Sequence, residues 1–285
     1  MSDGLSAGVD LGGTKCVIGW VGDDGALLDR ERFPSPRTPG EFVEQVAGRV
    51  RLHPTASIGI GVPGFVSRDR SRVIRCPNLP AYVDHELARA ISDATGIPAW
   101  LENDANAAAL AEARFGAGSS YGDQLFVILG TGVGGGIIAN GDVVRGAGYA
   151  GEIGHITIDP EGELCGCGRR GCWEMFASGR ALARIAGVER GEEVAEAVAE
   201  GRDWALRALD QFGSRVAEGL ADLVLALAPE LVVLGGGVSD IGAPLVEVVR
   251  TRLRPRIPSY LSLPDIAVAQ LGNDAGVIGA ALARP

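Results

Sequence analysis

Short apolar runs separated by glycine turns open the chain and recur in its middle. Residues 7–32, AGVDLGGTKCVIGWVGDDGALLDRER, predict strand, glycine turn, strand, hairpin turn and strand, in that order. Residues 124–146, QLFVILGTGVGGGIIANGDVVRG, repeat this plan with a turn at Asn140-Gly141. Two such units, each followed by helical patterns, predict a duplicated architecture of two α/β lobes; unrelated hairpins in one α/β protein are the alternative.

Helical and strand patterns alternate through the remainder of the chain. Apolar spacing predicts a helix over 41–52, and SIGIGVPG (57–64) and IPAWLEN (97–103) predict buried strands. We expect Asp84 to cap a helix that ends near Thr95, and an alanine-rich helix to follow over 104–115. The later predicted elements are a helix over 202–228, a strand before the glycines at 235–237 with a helix after it, a strand over 265–271 and a helix over 274–283. The predicted lobes are N-terminal, 1–115, and C-terminal, 116–285, with the last helix able to pack back on the N-terminal lobe.

Composition narrows the class of protein. Hydrophobic residues make up 46% of the 285, which is enough to bury a core and disfavours disorder. The net charge of -10 disfavours nucleic acid as a partner. The first seven residues lack the apolar segment of a leader, and no apolar run reaches the roughly 18 residues of a membrane helix. Five cysteines, an odd number, disfavour a disulfide framework, so a cytoplasmic location is expected.

Three glycine-rich loops follow predicted strands, at 10–15, 130–136 and 235–237. Successive amides in such loops can point at phosphate oxygens, and none of the three has the Walker A spacing. Gly130, Gly132 and Gly135 satisfy G-x-G-x-x-G, but they lead into another strand rather than a helix, so a dinucleotide fold is rejected. The loops favour a nucleotide, with a purely structural use as the alternative. Asp10 either holds Mg²⁺ through water or caps its turn.

A carboxylate lies where a predicted strand passes into a helix. Glu102, Asn103 and Asp104 end the strand over 97–103 and begin the alanine-rich helix. Asp104 is explained either as a helix cap or as the group that accepts the proton of a hydroxyl attacking phosphorus. In the second interpretation Asn103 hydrogen-bonds neighbouring hydroxyls of the substrate.

Residues 151–174 carry the most specific local pattern. GEIGH at 151–155 is followed by CGCGRRGCWE at 165–174. The spacing C-x-C-x4-C with one upstream His supplies the Cys₃His set of a tetrahedral zinc site, and four protein ligands would make the zinc structural. Chance clustering of free thiols is the alternative. Such a site would hold Glu152 and Glu174 rigidly as acceptors for hydroxyls. The predicted zinc ligands are His155, Cys165, Cys167 and Cys172.

These motifs together resemble the ROK family (repressors, open reading frames, kinases) over nearly the whole chain. The residues that carry the resemblance are DLGGTK, PNLP, LENDANAAALAE, GTGVGGG, GEIGH, CGCGRRGCWE and LGGGVS. Within the family the resemblance is greatest to sugar kinases that act on glucose, followed by those that act on N-acetylmannosamine. It implies an α/β actin-like ATPase (ribonuclease H-like) fold, with two lobes around a central cleft for ATP and sugar, and a homodimer. It also implies ATP, Mg²⁺ and structural Zn²⁺ as cofactors.

The resemblance assigns roles to single residues, with Asp104 as the catalytic base. It places in the sugar site Gly64, Asn78, Asn103, Asp104, Glu152, His155 and Glu174. It places around the phosphates and adenosine Asp10, Gly12, Gly13, Thr14, Lys15, Thr131, Gly132, Gly134, Gly235, Gly236 and Gly237. It places around zinc His155, Cys165, Cys167 and Cys172.

The predicted reaction is transfer of the γ-phosphate of ATP to the primary hydroxyl of a hexose, with glucose as the first candidate. N-acetylmannosamine, other hexoses, cyclitols and a polyphosphate donor remain alternatives, and segments 67–74 and 145–149 are candidates for setting the choice. A non-catalytic sugar sensor and an actin-like ATPase acting on proteins are the competing classes. Family repressors carry an N-terminal DNA-binding region, for which the residues before Asp10 leave no room, so a transcription factor is disfavoured.

Overall fold

The computed structural model describes residues 5–284. The first four residues and the last one lie outside this range, so the prediction about a leader at 1–7 falls mostly outside the described residues. The described chain divides into two compact units. Unit 1 comprises residues 5–119, 142–151 and 273–284, and unit 2 comprises residues 120–141 and 152–272.

Strands and helices alternate along the chain. The strands are β1 Leu5–Leu11, β2 Lys15–Val21, β3 Leu27–Pro34, β4 Thr55–Val62, β5 Phe65–Val66, β6 Val73–Arg75, β7 Ala99–Asn103, β8 Gln124–Leu129, β9 Val133–Ala139, β10 Asp142–Val143, β11 Leu231–Gly235 and β12 Asp265–Val268. The α-helices are α1 Pro39–Val50, α2 Leu87–Thr95, α3 Asp104–Phe115, α4 Glu174–Ala177, α5 Gly179–Ala186, α6 Gly191–Ala199, α7 Asp203–Leu227, α8 Ala243–Leu253 and α9 Ala275–Leu282.

Unit 1 is built on a mixed sheet with the strand order β3-β2-β1-β4-β7. Strand β1 pairs antiparallel with β2 and parallel with β4, which in turn pairs parallel with β7. The predicted hairpin turn joins β2 to β3, with Gly25 at a φ of 82°. Because β4 and β7 are parallel neighbours, their carboxyl ends bring Val62 and Asn103 side by side. This edge carries the loop to Gly64 and the start of α3.

The C-terminal helix α9 belongs to unit 1, where it contacts β1, β4 and α3. Gly8 of β1 and Gly59 of β4 lie directly against the backbone carbonyls of Val277 and Ala280. A side chain at either glycine would collide with those carbonyls, so the small residues allow helix and sheet to approach closely.

Unit 2 contains four strands in the order β9-β8-β11-β12. Strand β8 pairs antiparallel with β9 and parallel with β11, and β11 pairs parallel with β12. The long helix α7 buries one face through Phe212, Val216 and Leu220. The strand directions and order repeat those of β2-β1-β4-β7 in unit 1, which confirms the predicted duplication.

Most predicted elements occur within a few residues of their expected bounds, but the prediction for Asp84 is wrong. Helix α2 begins at Leu87 with Glu86 at its N-cap. Asp84 lies in a turn at a φ of 63°, and its amide donates to the carbonyl of Val73 at 2.8 Å. This hydrogen bond places Asp84 in the turn before the helix. Across residues 5–284, no helix combines the length and the apolar character that crossing a bilayer requires.

Candidate active site

Asp104 is the first residue of α3 and follows directly on strand β7. Its Oδ1 accepts hydrogen bonds from the amide of Ala105 at 2.9 Å and from Asn103 Nδ2 at 3.2 Å. Asn103 also caps the helix, because its Oδ1 accepts from the amide of Asn106 at 3.0 Å. The helix cap is therefore Asn103 and not Asp104. The carboxylate of Asp104 is held in one orientation at the helix N-terminus.

Gly64 lies next to this pair, and its carbonyl accepts from Asn103 Nδ2 at 3.0 Å. The residue has a φ of 136°, and a Cβ there would collide with the carbonyl of Arg75. The backbone geometry therefore requires glycine at this position. Unit 1 thus brings together three of the predicted sugar-site residues: Gly64, Asn103 and Asp104.

The first glycine loop joins β1 to β2 as a tight turn in unit 1. The amide of Gly12 donates to the carbonyl of Lys15 at 3.0 Å, and Ser35 Oγ donates to the carbonyl of Gly12 at 2.5 Å. A Cβ on Gly13 would lie 3.6 Å from the Cβ of Asn78, so another predicted sugar-site residue lies against this turn. Thr14 and Lys15 are exposed at its far side.

Asp10 precedes this turn near the end of β1. Burial raises the pKa of its carboxyl above 3.8, while the positive charge of Lys15 opposes the shift. A Cβ on Gly276, in the first turn of α9, would lie 3.2 Å from Asp10 Oδ2, so the carboxylate faces a helix N-terminus. A part-buried carboxylate beside a glycine turn offers the oxygen ligands that Mg²⁺ prefers, which fits the predicted role of Asp10.

Glu102 is the most deeply buried acid next to the pair Asn103 and Asp104. Only 3% of its side chain is exposed, and its Oε2 accepts from Arg145 Nε at 2.7 Å. Its Oε1 accepts from the amide of Asn103 at 3.1 Å and from Asn106 Nδ2 at 3.3 Å. Burial lowers the pKa of the nearby Arg70, and the Glu102 carboxylate opposes that shift. The contact with Arg145 joins residues 43 positions apart, so no local sequence pattern indicates it.

The second glycine loop turns β8 into β9 in unit 2. The amide of Gly130 donates to the carbonyl of Gly132 at 3.0 Å, and the amide of Gly179 donates to the carbonyl of Gly130 at 2.7 Å. The loop joins two antiparallel strands, which agrees with the rejection of a dinucleotide fold. Of the predicted nucleotide residues here, Gly134 lies within β9, where it pairs with Ile128.

A cavity of about 370 Å³ opens beside this loop in unit 2 and has the size of a small-molecule site. Thr131 and Gly237, both predicted nucleotide residues, line it together. Gly235 ends strand β11, and Gly236 follows it at a φ of 82°. The other half of the cavity wall was not predicted from the sequence, where the helix start after Ser178 is the local signal for it. The missed lining residues include Gly179, Arg180, Ala183, Glu189, Arg190 and Glu192.

The predicted zinc ligands meet in unit 2. The nitrogen and sulfur atoms that His155, Cys165, Cys167 and Cys172 offer all lie within 4.8 Å of one another. The sulfurs of Cys167 and Cys172 are 3.5 Å apart, and Cys165 Sγ is 3.7 Å from His155 Nδ1. A tetrahedral zinc with bonds of about 2.3 Å separates two sulfur ligands by about 3.8 Å, so the group fits this metal.

Two carboxylates flank His155. Glu174 Oε1 lies 3.6 Å from His155 Nδ1, and Glu152 Oε2 lies 3.8 Å from His155 Nε2. Glu174 Oε1 is also 2.9 Å from Cys165 Sγ, and a Cβ on Gly132 would lie 2.6 Å from Glu174 Oε2. Glu174 therefore contacts both the metal-ligand cluster and the second glycine loop, which sequence spacing alone did not indicate.

The remaining thiols and histidines lie elsewhere. Cys16 and Cys76 are buried in the core of unit 1, where burial raises the pKa of each thiol and makes it unreactive. The His53 ring packs against Trp20 at a tilt of 47° with 4.3 Å between ring centres, and His85 Nδ1 lies 3.1 Å from the carbonyl of Val83.

Comparison with known proteins gives the same family over nearly the whole chain. Residues 6–284 match the family model described as the ROK family. Glucokinase of Streptomyces coelicolor is 37% identical over 312 residues, covering 99% of this chain and 98% of that protein. N-acetylmannosamine kinase of Citrobacter koseri is 35% identical over 286 residues, covering 96% of each.

A solved structure gives the same result for the fold. A ROK family glucokinase from Streptomyces griseus, crystallised with glucose and AMPPNP, is 36% identical with a TM-score of 0.83, covering 98% of each chain. The actin-like ATPase fold predicted from the sequence is therefore confirmed. Because the family model covers nearly all of the sequence, and both relatives exceed 30% identity along it, this chain belongs to the ROK family.

Proposed function

We propose that this chain is a sugar kinase that transfers the γ-phosphate of ATP to the primary hydroxyl of a hexose, with glucose as its substrate. The observation that carries the proposal is the carboxylate of Asp104, which two hydrogen bonds at Oδ1 hold at the start of α3. Glucokinases at 35–37% identity along almost all of the chain support glucose and ATP as the substrates.

Asp104 acts as the base in this proposal. The hydroxyl proton passes to its carboxylate as the hydroxyl oxygen forms a bond to the γ-phosphorus, and ADP leaves when the bond to the bridging oxygen breaks. Asn103 orients Asp104 through Nδ2, and it fixes the neighbouring loop through the carbonyl of Gly64. The proposed sugar contacts are Gly64, Asn78, Asn103, Glu152, His155 and Glu174.

Backbone amides of the two glycine turns are the proposed hydrogen-bond donors to the phosphates of ATP, since such turns bind anions without a full positive charge. Asp10 is the residue that would hold Mg²⁺, and the bound ion would supply positive charge to offset that of the phosphates. The cavity beside Thr131 and Gly237 is the proposed site of the adenosine.

Zinc at His155, Cys165, Cys167 and Cys172 is proposed to be structural, because four protein ligands leave no open coordination position. With Nδ1 of His155 on the metal side, its Nε2 faces Glu152. Zinc would thereby fix the His155 ring between the two proposed sugar-binding carboxylates of Glu152 and Glu174.

The N-acetylmannosamine kinases that match at up to 35% identity support a second candidate substrate. Fructose, N-acetylglucosamine, cyclitols and a polyphosphate donor belong to the same test. A regulator that senses sugar without phosphorylating it is the alternative of another class.

We also propose a homodimer in the cytoplasm; the five thiols, none paired within residues 5–284, fit a reducing compartment.

The test is ADP release on addition of each sugar to the protein with ATP and Mg²⁺. Glucose should give the highest kcat/KM, and Asp104→Asn should lower kcat by about 10²–10⁴-fold while the Kd for sugar stays unchanged. Absence of ADP release with every sugar would reject the kinase. Wild-type kcat in Asp104→Asn would remove that residue from the base role.

A further inference from the structure

Glu102 is a buried charge that the proposed reaction does not use. Its side chain is 3% exposed, and it accepts hydrogen bonds from Arg145, from Asn106 and from the amide of Asn103. Burying a carboxylate costs desolvation free energy, which an ion pair and hydrogen bonds offset. Glu102 has both. Its partners lie on either side of Asp104 in the sequence and on the distant segment 142–151.

Arg145 organises the segment that follows it. Its carbonyl accepts from the amide of Gly148 at 2.8 Å and from the amide of Ala150 at 3.3 Å, so residues 145–150 form a closed turn. Gly146, Gly148 and Gly151 all have positive φ values, which glycine adopts without strain. With the guanidinium of Arg145 fixed on Glu102, the whole turn is fastened to the strand that ends at Asn103.

The turn carries an aromatic side chain, that of Tyr149, next to the segment that contacts Asn103. Tyr149 is 60% exposed, and its ring lies 6.1 Å from the ring of Phe65. Gly148 packs against the carbonyl of Val66. Phe65 directly follows Gly64, whose carbonyl accepts from Asn103 Nδ2. Bonds and ring contacts therefore run from Glu102 through Arg145 and Tyr149 back to Phe65 and Asn103, all within unit 1.

An exposed tyrosine on a glycine-rich turn has few contacts of its own to fix its position. Its ring offers an apolar face for the C–H groups of a sugar and a hydroxyl for hydrogen bonding. A ring at this place therefore distinguishes hexoses by their substituents only if the turn that carries it is held still.

We propose that Glu102 and Arg145 are positioning residues that hold Tyr149 against Phe65 beside Asn103, and that the Tyr149 ring sets the preference among hexoses. The inference rests on the proposed kinase function for its substrate class. It gives the part-buried Glu102–Arg145 pair a role in substrate choice rather than in the chemical step.

The experiment compares Arg145→Met and Tyr149→Ala with glucose and N-acetylmannosamine as substrates. Both variants should change the ratio of the two kcat/KM values by at least about tenfold and in the same direction, because each displaces the same ring. The KM for ATP should stay within about twofold of the wild-type value. Arg145→Lys keeps the cation and should restore part of the wild-type ratio.

The matched control is Arg49→Met, which breaks the part-buried ion pair between Arg49 and Glu31 at 2.9 Å. Glu31 lies on β3, at the opposite edge of the same sheet from β7, so this variant should leave the sugar ratio unchanged. Glu102→Gln and the double variant Glu102→Gln/Arg145→Met complete a cycle. If the two residues act as a pair, the double variant should have nearly the ratio of Arg145→Met alone.

A second measurement needs no enzymatic activity. Amide hydrogen exchange at Gly148 and Ala150 should be faster in Arg145→Met than in the wild type, and unchanged in Arg49→Met. Wild-type exchange at these amides together with a wild-type sugar ratio would overturn the inference. A wild-type protein that phosphorylates no sugar would instead reject the proposed function, while the exchange measurement still tests the anchoring of the turn.

Discussion

At the residue scale, Asp10 is a charge that folding places in an unfavourable position. Burial raises the pKa of its carboxyl above the value of 3.8, so the native state binds the proton more tightly than the unfolded chain. The ionised form therefore lowers stability at neutral pH, and this loss disappears as the pH falls below 3.8. We expect Asp10→Asn to unfold at a higher temperature than the wild type at pH 7 and to lose this advantage in acid, while kcat falls.

Asp69 provides a control of opposite sign. Hydrogen bonds from Ser67 and Ser71 hold the pKa of this exposed carboxyl below its ordinary value, so Asp69→Asn should be less stable than the wild type at pH 7. Thermal unfolding of both variants from pH 3 to 7 checks the pair of predictions. A lower unfolding temperature for Asp10→Asn at pH 7 would show that the carboxylate stabilises the fold and is not retained for function.

Gly132 tests a contact between two parts of unit 2. A methyl group there would lie 2.6 Å from Glu174 Oε2, so Gly132→Ala should push the carboxylate of Glu174 aside. Since Glu174 is a proposed sugar contact, we expect the KM for sugar to rise about tenfold with an unchanged zinc content. Gly166→Ala, where a Cβ meets nothing within 4 Å, is the control for an added methyl group. Wild-type KM in Gly132→Ala would indicate that Glu174 does not contact the sugar.

At the scale of the element, the residue that caps α3, Asn103, also has a proposed role in the active site. Asn103 Oδ1 caps the helix, while Nδ2 donates to the carbonyl of Gly64 and to Asp104. Asn103→Ser keeps a capping oxygen but loses both donors, whereas Asn103→Ala loses all three bonds. We expect Asn103→Ala to be less stable than Asn103→Ser by about 1 kcal/mol, with kcat reduced alike in both. Urea unfolding and steady-state kinetics of the two variants measure these effects, and full activity in Asn103→Ser would confine the residue to capping.

Sequence patterns predicted the elements whose signals are local. Strand β7 and helix α3 begin and end close to the predicted positions, because an apolar run marks the strand and an alanine-rich segment from Asp104 marks the helix. The short ribbon of β5 and β6 was missed, since two- and three-residue strands carry no periodicity. Asp84 was misassigned because the same residue types occur in helix caps and in turns. The hydrogen bond from its amide to the carbonyl of Val73 places it in a turn.

At the scale of the whole molecule, the sequence predicted the duplication, the motif residues and a last helix able to pack on the N-terminal lobe, but not that residues 142–151 belong to unit 1. Residues 142–151 and 273–284 belong to unit 1, although long stretches of unit 2 precede them. The ion pair between Glu102 and Arg145 spans 43 residues, and neither residue type is informative without its partner. Motifs therefore indicated the chemistry of the site, whereas the contacts that position its residues could be identified only from the folded structure.

Each unit has a hydrophobic core of its own, and the proposed zinc-ligand cluster of His155, Cys165, Cys167 and Cys172 lies wholly in unit 2. Because Trp173 is buried in the unit 2 core and follows Cys172 directly, metal loss should loosen that core through α7, whose Gly219 contacts the Trp173 ring. Chelation of zinc, or Cys167→Ser, should therefore speed amide exchange in α4 and α7 and leave β1 and β4 of unit 1 protected as before. Cys76→Ser, which removes a buried thiol of unit 1 that donates to the carbonyl of Pro63, should retain the zinc and the exchange pattern of unit 2. Equal loss of protection in both units on chelation, or none in either, would show that the cluster does not support unit 2 as a separate structure.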